Sequence, residues 1–482
     1  MKRAISIIIL IAIPFLFATI LPVPSGLSEA AWVMFGIYLS AVLGLVFKPI
    51  PNSMVLITAV AGTALFMGPY LGGAKEATKQ ALSGYASSTT WIIVSAFALS
   101  IAFTKTGLGK RWAYFLIGKF GKTTLRLSYV TAFLDLVVSP ATPSNTARAG
   151  GIVFPIVNSI AQSLSKDKVE TENRVGAFLA CNSYMSTKMT SFIFATAMAG
   201  NMLVIGYAND ILGTHLNWGN WAVAMVIPGI VCLCVIPLVV YIFVRPDIKK
   251  IDNVVISKQG LEELGEMKRS EKMLVLIFVL ALLGWSVPSL ASSLFGLKID
   301  IDATAVAVGA MSLSVLLGVL KFEDIAGSKE CIGTLFWFGG IMSLSGMMNK
   351  LGFFKWLGTF IQGNMNLDLD PLIVLIIIGF ISIIVRYLYA SATVFITTLL
   401  PVLFLIGKSA GVDPYLLAFL LITTNSYGGA LTHFGGPAAS VIFGAGYNTV
   451  KEWWITGFVV AMVSFILCLA IGLPYWEMLG MN

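Results

Sequence analysis

Long apolar stretches alternate with short polar loops along the whole chain. Crossing a bilayer as a helix takes about twenty mainly apolar residues. Stretches of roughly this length lie at 4–23, 30–48, 53–71, 176–207, 221–244, 273–295, 303–320, 415–445 and 453–475. Together with shorter apolar segments, this pattern predicts an all-α polytopic membrane protein with about 11 transmembrane helices.

Two apolar segments, 89–104 and 333–348, are shorter than a full span. We interpret both as arms of re-entrant hairpins. The segment 127–138 is also apolar, but at 1.5 Å per residue it is too short to span a bilayer. It leads directly into a polar break.

Two such polar breaks interrupt otherwise apolar sequence. They are the first triplet, Ser144-Asn145-Thr146 in LVVSPATPSNTARAGG, and the second triplet, Ser391-Ala392-Thr393 in VRYLYASATVFITTLLP. Polar, non-helical backbone at membrane depth is tolerated only where it lines a cavity or is covered by protein. The two triplets therefore predict one shared site.

The halves of the chain on either side of the polar stretch 245–272 resemble each other. Aligning LSIAFTKTGLGK with LSGMMNKLGFFK pairs four residues at a constant separation of 245: Ser100 with Ser345, Lys105 with Lys350, Gly107 with Gly352, and Lys110 with Lys355. The triplets are 247 apart, and two small-residue stretches, ATAMAGN and GGPAAS, end 239 apart. We infer a duplicated unit, and such repeats commonly have inverted topology, with a binding site near the midplane where discontinuous helices meet.

The residues of the first break favour an anion site. Pro140 and Pro143 cannot continue a helix, and Ser144 or Asn145 is a preferred N-cap, so the chain should unwind near 139–143 and restart. A helix N-terminus carries about half a positive charge, and with nearby hydroxyl and amide donors it suits a carboxylate. The alternative is that proline and serine only kink a buried helix.

Two basic residues in apolar surroundings, Lys188 and His433, are candidate anion-binding cations. A charged side chain near the bilayer centre costs about 2.5–3.5 kcal/mol on insertion scales, so these residues should face a cavity or a partner. Lys188 could instead reach the interface, and His433 could be a buried neutral imidazole. For Arg148, Arg386 and Asp135 we expect a gating or structural ion pair, and Arg386 could alternatively pair with a carboxylate or line the cavity.

Composition and charge support a membrane protein and exclude other classes. The chain is 57% hydrophobic and only 11% charged, with a mean hydropathy of +0.90. Its net charge of +8 resides in connecting loops, which indicates membrane topology and not nucleic-acid binding. The five cysteines have no spacing typical of disulfides or zinc, so we expect neither metal nor cofactor. The start, MKRAISIIIL, predicts an uncleaved first helix with a cytoplasmic N-terminus in a bacterial plasma membrane.

The triplets, hairpin arms and small-residue breaks resemble the divalent anion/sodium symporter (DASS, INDY-type) family of di- and tricarboxylate carriers. SPATPSNTARAGG resembles most specifically the exchanger branch with the plant plastid 2-oxoglutarate/malate translocators and bacterial INDY exchangers. The resemblance implies a homodimer whose transport domain moves like an elevator against a scaffold domain. It implies substrate binding by the following residues: Ser144, Asn145, Thr146, Ser391 and Thr393. We add Ala392, Lys188, His433, Thr196 and Pro437 to this predicted set.

The implied domains follow the repeats. They are 1–75, N-terminal scaffold helices; 76–210, the first-repeat transport region; 211–320, scaffold helices with the cytoplasmic linker 245–272; 321–450, the second-repeat transport region; and 451–482, the C-terminal helix.

The sequence departs from the sodium-coupled pattern, in which the second triplet is usually Ser-Asn-Thr. Ala392 removes one amide. The resemblance implies that the small-residue breaks help form sodium sites in symporters, and here Lys188 and His433 lie near these breaks. We therefore predict a sodium-independent exchanger of C4 and C5 dicarboxylates such as malate, succinate, fumarate and 2-oxoglutarate. The alternatives are a sodium-coupled symporter of the same fold and a cation/proton antiporter using Asp135. A membrane enzyme would need an acid, metal or histidine constellation that is not evident.

Overall fold

The computed structural model describes residues 2–164, 172–295, 297, 299, 301–364 and 369–480. The regular secondary structure of these residues is helical, with no β-strand among them, which confirms the predicted all-α class. Lys166 and Lys168, which we predict from the sequence to lie in a charged loop, are outside the described residues.

The α-helices of the described chain are α1 (Lys2–Thr19), α2 (Glu29–Phe47), α3 (Asn52–Phe66), α4 (Ala74–Ala81), α5 (Ser88–Thr106), α6 (Leu108–Phe120), α7 (Thr124–Val138), α8 (Phe154–Leu164), α9 (Arg174–Ile193), α10 (Ala199–Tyr207), α11 (Trp218–Phe243), α12 (Asn253–Leu264), α13 (Arg269–Phe295), α14 (Ala303–Leu316), α15 (Phe322–Ala326), α16 (Lys329–Lys350), α17 (Phe353–Asn364), α18 (Pro371–Val385), α19 (Ala392–Thr398), α20 (Leu400–Ser409), α21 (Pro414–Gly428), α22 (Pro437–Phe443), α23 (Val450–Leu467) and α24 (Leu473–Met478).

Seven segments within the described ranges are long and apolar enough to cross a membrane: Glu29–Phe47, Ser88–Thr106, Trp218–Phe243, Arg269–Pro288, Lys329–Lys350, Pro371–Leu388 and Val450–Met478. The pair α19 and α20, bent by 45°, makes an eighth when counted as one span. The chain is thus a multi-pass membrane protein. Several of the predicted spans are shorter or interrupted helices.

The two segments predicted to be shorter than a span lie in α5 and α16, which have 19 and 22 residues and are long enough to cross a membrane, so the prediction of their length was wrong. These two arms pack against each other. The chain leaves each arm through a glycine in the left-handed region, Gly107 with φ 78° and Gly352 with φ 81°. Glycine enters this region without the steric cost that a Cβ imposes. After these glycines the chain continues into α6 behind the first arm and into α17 behind the second. The backbone therefore makes the same turn twice, at the 245-residue separation seen in the sequence.

The centre of the molecule is formed by α9 and α21, which pack against each other. All residues from Val175 to Ile193 are buried, as are those from Leu417 to Gly428. Both helices are rich in serine, threonine and asparagine. Because such side chains are costly against lipid, their place is inside the protein, where other helices cover them.

A proline explains the bend between α19 and α20. Pro401 has no N–H, and its ring clashes with the carbonyl four residues earlier, that of Thr397. That carbonyl instead accepts a hydrogen bond of 2.9 Å from the Tyr38 hydroxyl on α2. The broken span is thereby attached to a helix of the first seventy-five residues.

Candidate functional site

The first triplet lies at a restarting helix. Helix α7 ends at Val138, a short 3₁₀ turn follows, and helical structure resumes at Asn145. The Ser144 hydroxyl accepts a hydrogen bond of 3.2 Å from the backbone N–H of Ala147, as an N-cap does. The eight residues after Asn145, Thr146–Val153, are π-helical, a geometry often found at functional sites.

The Asn145 side chain is held in one orientation by its neighbours. Its Oδ1 accepts hydrogen bonds from Arg148 at 3.1 Å and from the Ser191 hydroxyl at 2.9 Å. The amide nitrogen, with two N–H donors, faces the sulfur of Met198 at 3.9 Å. Because the oxygen is occupied, the side chain presents donors, and donors are what a carboxylate requires.

The second triplet also lies at a helix start. The Ser391 hydroxyl accepts from the backbone N–H of Val394 at 3.4 Å, so Ser391 is the N-cap of α19. Ser391, Ala392 and Thr393 are half-buried, as is the first triplet. Each triplet therefore combines a helix N-terminus with partly accessible hydroxyls.

The start of α10 connects the two breaks. The N–H of Ala199 donates to the carbonyl of Pro143 at 3.1 Å, just before the first triplet. On the other side, α10 packs against α19, where Gly200 lies so close to Ile396 that a Cβ would be 2.6 Å from its δ-carbon. Within the described chain no hydrogen bond joins the triplets directly, but they share this neighbour.

Lys188 lies on α9 with only 5% of its surface exposed. Its ammonium is 4.6 Å from the centre of the Tyr184 ring, and the Tyr184 hydroxyl donates to the carbonyl of Gly429 at 2.7 Å. A Cβ at Gly429 would lie 3.1 Å from the Lys188 Nζ, and one at Gly436 would lie 3.7 Å away. Lys188 of the first repeat thus reaches the small-residue break of the second.

No acidic side chain pairs with Lys188 among the residues that the structure describes. The charged groups that act on it are Arg386 and Arg148, both cations. A buried charge without a counter-ion is costly, so this ammonium favours an anion beside it.

His433 lies in an aromatic cluster with Phe434, Phe443 and Trp454. The indole N–H of Trp454 donates to its Nδ1 at 3.0 Å. A nitrogen that accepts a hydrogen bond carries no proton, so the arrangement is that of a neutral imidazole. His433 is half-buried, not fully buried as the neutral alternative supposed.

Thr196 and Pro437 occupy the small-residue breaks. The Thr196 hydroxyl donates to the carbonyl of Pro140 at 2.6 Å and accepts from the Trp218 indole at 3.0 Å. It thereby fastens the two breaks of the first repeat together. Pro437 is the first residue of α22, which packs against α9 and against the π-helical segment that follows the first triplet.

The structure adds Asn425 to the candidate site residues. It is 1% exposed, yet neither atom of its amide group has a hydrogen-bond partner in the described structure. The sequence carries a signal that sequence reasoning missed, because Asn182-Ser183-Tyr184 recurs as Asn425-Ser426-Tyr427, close to the repeat separation. The Ser426 hydroxyl donates to the carbonyl of Lys188 at 2.6 Å, so the second copy lies beside Lys188.

The described residues contain no group of three histidine, cysteine, aspartate or glutamate side chains able to hold a metal. The chemistry that this arrangement supports is reversible anion binding. Each repeat supplies hydroxyl donors and a helix N-terminus, the first repeat adds the Asn145 amide, and the buried ammonium lies at the small-residue break of the second repeat. None of these groups provides a nucleophile with an adjacent general base.

Comparisons with known proteins agree with this reading. The model of the family described as "Sodium:sulfate symporter transmembrane region" matches residues 1–482. The chain is 48% identical over 478 residues to the inner membrane protein YbhI of Escherichia coli K12, covering 99% of this chain and 98% of that protein. It is 37% identical to the putative malate transporter YflS of Bacillus subtilis, covering 95% and 93%. It is 28% identical to the L-tartrate/succinate antiporter of E. coli K12, covering 94% of each.

Among solved structures, the YdaH transporter of Alcanivorax borkumensis has a similar fold. The TM-score is 0.56 at 12% identity, and the match covers 91% of this chain and 98% of that one.

Proposed function

Since the chain belongs to the sodium:sulfate symporter family, we propose that it carries C4 and C5 dicarboxylates across the membrane by sodium-independent exchange. Family membership makes it a membrane transporter and not an enzyme. The names of YflS and of the tartrate/succinate antiporter support dicarboxylates as the substrate class for this chain.

The observation that carries the exchange mechanism is the buried Lys188 ammonium without a described acidic partner. Sodium ions leave with the substrate, so an empty symporter can return with a neutral site. A tethered ammonium cannot leave, and moving it across the bilayer without an anion costs about 2.5–3.5 kcal/mol or more. Return is therefore favoured only with a second dicarboxylate bound.

The structure weakens the case for a cation/proton antiporter. That mechanism would need Asp135 as a free proton carrier, but Asp135 is paired with Arg148 at 3.0 Å and also accepts from Thr190. With one carboxylate oxygen bound by Arg148 and the other by Thr190, Asp135 forms a structural ion pair and is not a free cation or proton carrier.

The remaining features of the proposal come from the repeats and the family. Each triplet binds one of the two carboxylates of the substrate, which is malate, succinate, fumarate or 2-oxoglutarate. The transport region moves as an elevator against the scaffold helices within a homodimer. The N-terminus is cytoplasmic, in a bacterial plasma membrane.

Counterflow in proteoliposomes tests the proposal. Purified protein is reconstituted with internal succinate, and uptake of labelled succinate is followed with and without sodium. We expect rapid uptake that requires internal dicarboxylate and is unchanged by sodium. Uptake driven by a sodium gradient into vesicles without dicarboxylate would show a symporter instead.

A matched pair of variants tests the role of the ammonium. Lys188→Ala should abolish exchange because it removes the buried charge, whereas Lys110→Ala, at an exposed lysine of α6, should leave exchange unchanged. Monodispersity and melting temperature establish that both variants fold. Exchange by a folded Lys188→Ala protein at the wild-type rate would place Lys188 outside the site.

A further inference from the structure

Each repeat contains one buried arginine that joins the carbonyls of its two helix breaks. In the first repeat, Nη1 of Arg148 donates to the carbonyls of Thr142 and Ala197, each at 2.8 Å. Thr142 precedes the first triplet and Ala197 lies in the break between α9 and α10. The guanidinium thus holds two unwound segments together by hydrogen bonds that their carbonyls would otherwise lack.

Arg386 makes the corresponding connection in the second repeat. Its guanidinium donates to the carbonyl of Tyr389, just before the second triplet, and to that of Gly435 at 3.0 Å, in the break between α21 and α22. The two arginines occupy different places relative to their triplets, since Arg148 follows one and Arg386 precedes the other. Their spatial role is nonetheless the same.

The two arginines differ in how their charge is balanced. Arg148 is fully buried, and its Nε pairs with Asp135 at 3.0 Å. Arg386 is 1% exposed, its Nε has no hydrogen-bond partner, and no acidic side chain within the described residues forms an ion pair with it. An unpaired buried guanidinium is unfavourable, because lost hydration is not replaced.

Arg386 lies beside the break that Lys188 reaches. A Cβ at Gly428 would be 3.2 Å from both Cβ and Cγ of Arg386, so this glycine lets the arginine stem lie against the end of α21. The next residue, Gly429, is the one close to the Lys188 Nζ. Two positive charges without a described counter-ion therefore adjoin the same break, and a dicarboxylate carries two negative charges.

We propose that Arg386 is a positioning residue that depends on substrate, because bound dicarboxylate balances its charge. In the first repeat, Asp135 balances the charge of Arg148 permanently. In the second repeat, Arg386 is fully stabilised in its position between the two breaks only when substrate is bound. The inference rests on the proposed dicarboxylate substrate. Under this proposal, the carboxylate-binding position at the first triplet is preformed, and the one at the second triplet becomes ordered when substrate binds.

Ser382→Asp tests this by giving Arg386 a permanent counter-ion. Ser382 is one helical turn before Arg386, and its hydroxyl is 2.9 Å from that of Thr424, one turn before Gly428. The side chains at positions 382 and 386 therefore both face α21, so the carboxylate of Ser382→Asp can reach the unpartnered Nε of Arg386. Ser382→Asn is the matched control, since it has the same size without the charge.

Three quantities are measured: the melting temperature without substrate, the rise in melting temperature that succinate causes, and the succinate concentration that gives half-maximal counterflow. Relative to Ser382→Asn, the Asp variant should melt higher when empty, gain less from succinate, and need about tenfold more succinate for half-saturation, as expected for losing one charged interaction. A structural role alone would not produce opposite changes in the empty and bound forms. Equal succinate effects in the two variants would overturn the inference.

A second pair of variants decides the matter if Ser382→Asp does not fold. Arg386→Lys keeps the charge but not the bridge between two carbonyls, so it should lower the maximal exchange rate with little change in half-saturation. Arg386→Gln loses the charge and should raise half-saturation as well. Identical half-saturation in both would overturn the inference, whereas wild-type protein that succinate does not stabilise at all would refute the proposed substrate class.

Discussion

The buried ion pair between Arg148 and Asp135 allows a quantitative prediction about stability. The Arg148 side chain is 0% exposed and that of Asp135 is 2% exposed. Asp135→Asn keeps the size of the side chain but leaves the guanidinium charge without its counter-ion. Removing one partner of a buried pair typically costs about 3–5 kcal/mol, so we expect the free energy of unfolding to fall by about that amount.

Unfolding by sodium dodecyl sulfate in mixed micelles, followed by tryptophan fluorescence, measures the change. Asp210→Asn is the control, because Asp210 forms no ion pair within the described residues and should change stability by less than about 1 kcal/mol. The double variant Asp135→Asn/Arg148→Met also removes the charge. It should recover only part of the loss, because the carbonyls of Thr142 and Ala197 lose their donor, at about 1–3 kcal/mol each.

Two results would refute this reasoning. An Asp135→Asn protein within about 1 kcal/mol of the wild type would show that the Arg148 charge is stabilised without the carboxylate. A double variant as stable as the wild type would show that the carbonyls of Thr142 and Ala197 need no donor from Arg148. The hydrogen bonds of Arg148 would then not be needed to hold the two breaks together.

Two further predictions concern the contacts around the second repeat. Tyr38→Phe removes the hydroxyl that donates to the carbonyl of Thr397, so it should destabilise the protein by about 1–3 kcal/mol in the same unfolding assay; an unchanged transition would mean that another donor replaces it. Gly429→Ala places a methyl group 3.1 Å from the Lys188 ammonium and should reduce succinate counterflow, whereas Gly346→Ala, with open space around its Cβ position, should not; equal rates in both would show that the ammonium can move aside at no cost to exchange.

Much of the architecture could be read from the sequence because it follows from local rules. The proline residues around the first triplet exclude a continuous helix, and the structure has its 3₁₀ turn and its restart there. The glycines at 107 and 352 mark one turn repeated in both halves, and both adopt positive φ. The serines of both triplets cap the following helices, as their position after the break predicts.

The roles of the ionisable residues could not be read in the same way. Lys188 and His433 look equivalent in sequence, each a basic residue in a repeat-related apolar segment. The structure separates them, because Lys188 lies beside two glycines with no described counter-ion, whereas His433 accepts a hydrogen bond from Trp454. Which groups surround a side chain depends on distant segments, and neither periodicity nor composition records them.

By itself, the sequence determined that this is an all-helical membrane protein with two repeats, each interrupted by a polar triplet, because lipid exposure and helix termination act on neighbouring residues. The balance of charge was decided only by the tertiary structure. Asp135 and Arg148 are thirteen residues apart in sequence and form an ion pair, whereas Arg386 has no acidic partner within the described residues. A buried charge is stabilised by whatever the fold places within a few ångströms of it, and here that contrast distinguishes the arginine of the first repeat from that of the second.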